Sequence, residues 1–215
     1  MAVVRTGAVG RCGRFFIVAS VTLWAVIIGI GLSSMVRYEM IAGPSATTVP
    51  RWPADSSLLH RADRPTLVMA VHPRCPCSRA SLQELRELVS RNPRGARVYV
   101  LFYTPKHAGV DWTRADSWEN AELIPGAVVI RDEEGIEAQR FGARTSGQVL
   151  LYDNGGRLAF SGGITAARGH AGSNEGTDSV ESILSGKIPA RSTFPVYGCP
   201  LFSDVACGKC EESDQ

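Results

Sequence analysis

Two cysteines separated by one proline, Cys75-Pro76-Cys77 in the stretch HPRCPCSRASL, are the residues of this chain best suited to chemistry. A thiolate is both a nucleophile and a soft metal ligand, so a close pair can act as a redox couple or a metal clamp. It can also be an inert remnant. The apolar run TLVMAVH (66–72) precedes the pair, and the helical pattern SRASLQELRELVSR (78–91) follows it. A strand ending at His72 and a helix starting near Pro76 would put both thiols at a helix N-terminus. Proline suits the first helical position, where its missing N–H is not needed. Cys75 is therefore expected at the N-cap, the more exposed of the two, with Cys77 in the first turn. Free N–H groups and the positive end of the helix dipole favour a thiolate there. Arg74 and Arg79 lie nearby in sequence, and Arg74 is the expected supporting cation.

The elements that must position this turn alternate in type. ARVYVLFY (96–103) and AVVI (127–130) read as two more buried strands. TRADSWENAEL (113–123) and EEGIEAQRFG (133–142) read as short helices, the second closed by Gly142. GQVLLYD, the turn NGG and RLAFSGG (147–163) form a hairpin, and SNEGTDSVESILSG (173–186) a capped amphipathic helix. Such an order predicts an α/β sandwich around a central mixed sheet.

Upstream, 22 residues without a charge run from Phe15 to Val36. About 20 apolar residues cross a bilayer core as a helix. A secretory signal has a shorter apolar region, and no Ala-x-Ala site follows, so residues 15–36 read as an uncleaved anchor. Arg5, Arg11 and Arg14 precede the span, whereas Arg37 follows it beside Glu39. The positive-inside rule leaves residues 1–14 in the cytoplasm and sends the rest across an inner membrane, to a periplasmic or extracellular side. Cys12 is then an idle thiol on the reducing side, and Trp24 is bulk within the span.

Residues 37–65, with Pro44, Pro50, Pro53 and Pro65, read as a linker. Residues 188–215 read as a tail carrying Cys199, Cys207 and Cys210. Together with Cys75 and Cys77 these make an odd number of exported cysteines, so at least one is unpaired, reactive or metal-bound. The net charge of +2, from 23 basic and 21 acidic residues, gives no reason to expect nucleic acid as a partner.

Two cysteines between a first strand and its helix resemble the thioredoxin-like superfamily. The segment FGARTSGQVLLYDNGGRLAFSGG is similar to the late strand and hairpin of its membrane-anchored periplasmic branch, the TlpA/ResA-like thiol-disulfide oxidoreductases. The block is also loosely similar to bacterial proteins called RedB. The resemblance implies a thioredoxin-like domain over residues 66–187 that exchanges disulfides with protein thiols in the periplasm and requires no diffusible cofactor. Cys75 would form a mixed disulfide and Cys77 would resolve it.

The chain departs from that family twice. Cys-x-Cys replaces Cys-x-x-Cys, which closes a smaller, more strained ring and implies a more oxidising couple. Where the family places a cis-proline opposite the cysteines, this chain has Gly147 behind Thr145 and Ser146. The backbone edge at Gly147 and Ser146 is therefore expected to be open, with room for a metal or a third ligand.

Copper is the rival reading. Sco-like copper proteins are similar in fold, but they space their cysteines as Cys-x-x-x-Cys and place a ligand histidine before the hairpin strand. RTSGQ contains none. The candidate copper ligands are thus Cys75, Cys77, His72 and His170, the last in the Gly-rich loop ITAARGHAGSNEG that is expected to border the cleft. His72 can equally cap or pack at the strand end. A peroxiredoxin reading fails, because His72 stands where that family has Thr, three residues before the cysteine. In the tail, CGKC is followed by Glu211, which gives no support to haem attachment. The tail offers zinc no fourth ligand. Either a disulfide staple with a spare thiol, or a mobile redox arm exchanging with Cys75 and Cys77, fits its spacing. His107, Trp112 and Trp118 carry no case for chemistry.

Overall fold

A computed structural model describes residues 11–47, 49–106, 108–109, 112 and 116–202, except the side chains of Arg11 and Cys12. Cys207, Cys210 and His107 lie outside the described residues. The chain divides into two compact units, Met1–Glu39 and Met40–Gln215.

Within the first unit, α1 (Arg11–Glu39) is one continuous helix. Its segment Gly13–Glu39 is long and apolar enough to cross a membrane. At 1.5 Å per residue those 27 residues reach about 40 Å, against a hydrocarbon core of about 30 Å.

The second unit is built on a five-stranded sheet. In chain order its elements are β1 (Thr66–Val71), α2 (Ser78–Arg91), β2 (Arg97–Thr104), α3 (Asp116–Glu122), β3 (Ala127–Glu133), α4 (Ile136–Arg140), β4 (Gln148–Tyr152), β5 (Leu158–Gly162) and α5 (Glu175–Leu184). The strands lie in the order β3-β2-β1-β4-β5. β1, β2 and β3 run parallel, with Thr66 beside Arg97 and Val98 beside Ala127. β4 runs antiparallel to β1, and β5 antiparallel to β4. This is the mixed sheet expected from the sequence.

β1 is central, and all six of its residues are buried. Alternation along it feeds two cores. Leu67, Met69 and Val71 face Leu82, Leu85 and Leu88 of α2, together with Phe102, Leu151, Phe160 and Val180. Val68 and Ala70 face Leu101, Phe141, Leu150 and Tyr152 on the other side. The three α2 leucines recur at helical spacing and are fully buried, each contributing about 1.5–3 kcal/mol. That packing fixes α2, and hence the turn that starts it, against the end of β1.

Two segments differ from expectation. Residues 40–47 and 49–65, read as part of a linker, are irregular and mostly exposed, yet they are tied to the domain at several points. Trp52 packs edge-on against Phe141 and Tyr152, with ring centroids at 4.8 and 5.3 Å. Tyr152 Oη donates to the Val49 carbonyl, Tyr99 Oη donates to that of Leu59, and Ser56 donates to Glu137 at 2.7 Å. The prolines and absent periodicity signalled irregular backbone, not looseness; side chains from the domain satisfy it.

The start of the tail is likewise part of the domain. Thr193 forms a parallel bridge with Ser161, and Phe194 N–H donates to the Ser161 carbonyl. Gly43 N–H donates to Val196 O, and Leu201 is buried in the second core. Residues 192–201 are therefore bound to the domain, while Cys207 and Cys210, the rest of the expected arm, lie outside the described residues.

Candidate functional site

β1 ends at Val71, and the chain turns twice before α2. Cys75 N–H donates to His72 O at 3.0 Å, and Ser78 N–H donates to Cys75 O at 3.1 Å. α2 begins at Ser78, so Cys77 is its N-cap and Cys75 lies two residues before the cap. This shifts the expected register by two residues, because Pro76 occupies the preceding turn and not the first helical position. Both thiols are buried, and Cys75 is the less exposed, at 3% against 8% for Cys77. The expectation that Cys75 is the more exposed of the two is corrected accordingly. A depression of about 500 Å³ between Pro73–Pro76 and Asp116–Ser117 opens onto Cys75.

A third thiol completes the site. Cys199 reaches Cys75 and donates a hydrogen bond to its sulfur. The carbonyl of Cys199 accepts from Ser146 N–H at 2.8 Å, and Thr145 forms an antiparallel bridge with Pro200. The edge at Ser146 and Gly147, expected to be open, is thus covered by the chain's own residues 198–201. Gly198 makes this close approach feasible, since a Cβ there would meet Ser146 O at 2.0 Å. Gly147 adopts φ +88° and donates its N–H to Ala70 O, and a Cβ there would meet Ser81 Oγ at 2.6 Å. A glycine is required both for that backbone and for the close approach of α2. Cys75, Cys77 and Cys199 are all free thiols.

The electrostatics single out Cys75. The hydrogen bond from the Cys199 thiol, the largest influence, pulls its pKa down to about 4 against the opposing effect of burial. The backbone of Cys199, the Ser78 hydroxyl and the backbone of Cys77 lower it further. His72 N–H donates to Ser146 Oγ at 2.7 Å, and Ser146 and Ser78 share a hydrogen bond of 2.7 Å. With Ser78 donating to the sulfur, Ser146 must donate to Ser78, a chain of donors that ends on Cys75.

Cys77 moves the opposite way. Burial raises its pKa and the charge on Cys75 adds to that, while Arg168 partly offsets both. Cys199 is also raised, first by its hydrogen bond to Cys75 and then by burial. The surroundings thus favour the thiolate on Cys75 and the protonated forms of Cys77 and Cys199.

Arg74 does not take the role expected of it. Its guanidinium lies over the Trp112 ring, 5.1 Å from the centroid. Arg79 pairs with Asp116. The cation that sequence reasoning missed is Arg168, which hydrogen-bonds Cys77 and also donates from Nε to Ile41 O. Its loop is the Gly-rich segment in which the sequence singled out His170. Glu84, buried in α2, tethers this loop by accepting from Gly172 N–H at 2.7 Å.

His170 is exposed, with Nδ1 2.8 Å from Arg168 O. His72 stacks on Tyr103 and meets Trp112 edge-on, with centroids at 5.8 and 5.5 Å. Burial lowers its pKa, so it is a packed, neutral ring. Among the described residues, no group of three His, Cys, Asp or Glu side chains is arranged to hold a metal ion.

A hypothetical protein from Sinorhizobium meliloti 1021 superposes with a TM-score of 0.58 at 19% identity, over 72% of this chain and 94% of that one. An uncharacterised protein from Geobacillus kaustophilus gives 0.55 at 16% identity, over 78% and 96%. A secreted Mycobacterium tuberculosis disulfide oxidoreductase gives 0.44 at 16% identity, over 59% and 83%. The fold is thioredoxin-like. At these identities the likeness extends to the fold and no further. No protein-family model matches the chain, and no curated protein matches it.

Proposed function

We propose that this protein is a membrane-anchored thiol–disulfide oxidoreductase that acts on protein thiols or disulfides through Cys75. One observation carries the reading: Cys75 lines a depression between the β1–α2 turn and the start of α3, where surrounding donors favour its thiolate. A thiolate is the attacking form in disulfide exchange. Cys75 attacks one sulfur of a partner disulfide, forms a mixed disulfide and releases the other partner sulfur as a thiolate. A neighbouring thiol then attacks Cys75, closes an internal disulfide and releases the second partner thiol. Two electrons pass from the protein to the partner, and the reverse sequence oxidises a partner dithiol. Cys77 is the neighbour that the sequence nominates.

The apolar helix α1 supports an anchor. The arginines before it support an N-terminus in the cytoplasm and a domain on the periplasmic side of the inner membrane. Such a compartment, the anchor and the fold fit the TlpA/ResA-like branch. The test uses the reduced full-length chain in detergent with a disulfide-bonded protein as substrate. Cys75→Ala is expected to abolish reduction, while Cys12→Ala leaves the rate unchanged. A Cys75→Ala protein that reduces the substrate at the wild-type rate would overturn the proposal.

A further inference from the structure

On the reading that Cys75 exchanges disulfides, we propose that Cys199 is a catalytic thiol of the same site, the one that resolves the mixed disulfide on Cys75. Cys75 lies between two thiols from different parts of the chain, and its sulfur is the atom both can reach. The two routes differ in geometry. A Cys75–Cys77 bond must close across a single residue, Pro76, whose ring restricts the turn, and so small a ring is strained. Cys199 arrives from a separate strand-like segment with no such constraint. Its backbone is held by Ser146 N–H at 2.8 Å and by the bridge between Thr145 and Pro200. It is also half-buried, and its thiol already faces the Cys75 sulfur.

The exchange balances as follows. The Cys75 thiolate attacks a partner disulfide; one S–S bond breaks, one forms, and the first partner sulfur leaves as a thiolate. That thiolate takes the Cys199 proton. The Cys199 thiolate attacks the Cys75 sulfur, forming Cys75–Cys199, and the second partner sulfur leaves and is protonated by solvent. The partner disulfide has gained two electrons, and Cys75 and Cys199 have lost them. Cys77 then serves as a second acceptor: its attack on Cys75 frees Cys199 and moves the oxidised pair to Cys75–Cys77, with no net change in electrons.

The experiment treats reduced full-length protein in detergent with one equivalent of oxidised glutathione. The reaction is quenched with acid at short times, free thiols are blocked with N-ethylmaleimide, and unreduced peptides are mapped by mass spectrometry. A peptide linking Cys75 to Cys199, formed before or alongside Cys75–Cys77 and persisting in Cys77→Ala, is the expected result. In Cys199→Ala, glutathionylated Cys75 should accumulate several-fold. Cys199 that stays alkylated, or links only to Cys207 or Cys210, while Cys75 pairs with Cys77 overturns the inference but leaves the oxidoreductase reading standing. Failure of Cys75 to react with glutathione at all removes both.

Discussion

The Cys199 thiol donates a hydrogen bond to the Cys75 sulfur, and Ser146 N–H holds the Cys199 carbonyl at 2.8 Å. The site's charge therefore depends on a segment far along the chain. Replacing Cys199 with Ala should raise the Cys75 pKa, because its largest stabilising donor is lost. Thiolate absorbance at 240 nm, followed as pH is lowered from 8 to 4, should persist in wild type and fade at clearly higher pH in the variant. Superimposable titrations would show that Cys199 does not set the charge.

The same pair governs how stability depends on pH. The depressed Cys75 pKa contributes stability that is fully present above its unfolded value of about 8.5 and is lost as pH falls toward the folded value. The raised Cys199 pKa contributes stability that is present below about 8.5 and is lost as pH rises beyond it. The stability difference between reduced wild type and Cys75→Ala should therefore peak near pH 8–9. Urea midpoints at pH 5, 8.5 and 10 would reveal the peak; a flat difference would contradict it.

Gly198→Ala tests the bound tail segment directly. The new Cβ would meet Ser146 O at 2.0 Å, a backbone atom that cannot rotate away. The expected cost is about 1–3 kcal/mol by urea denaturation, as for overpacking elsewhere. Loss of the 240 nm thiolate signal at neutral pH should accompany it. An unchanged thiolate would mean the segment is not what positions Cys199.

Trp52→Ala probes the stretch ahead of β1. Its ring packs against His60, Phe141 and Tyr152, so truncation should cost about 3 kcal/mol. A loss below about 0.5 kcal/mol, the level of a surface change, would restore the linker reading of residues 40–65.

Much of this architecture was legible in the sequence. α2 forms over the residues 78–91 that its leucine spacing marked out, and β1, β4 and β5 fall within the predicted strands, whereas β2 runs on to Thr104 and β3 to Glu133, past the ends of the apolar runs that marked them. What stayed hidden were relationships that no local pattern encodes. Cys199 meets Cys75 only because the chain returns along β5 and crosses Thr145–Ser146. Arg74 is adjacent in sequence yet turns onto Trp112, whereas Arg168 arrives on a loop tethered by Glu84. Proximity along the chain was a poor guide to charge at the thiol.

The most direct measurement equilibrates the full-length protein, with its metal content recorded, against reduced and oxidised glutathione and maps the trapped cysteines. Thiol exchange predicts a reversible two-electron couple that includes Cys75, with a potential between about −120 and −270 mV. A Cys75 that stays a free thiol at every glutathione ratio, in protein that carries stoichiometric copper, would contradict it and make the Cys-Pro-Cys turn a metal clamp.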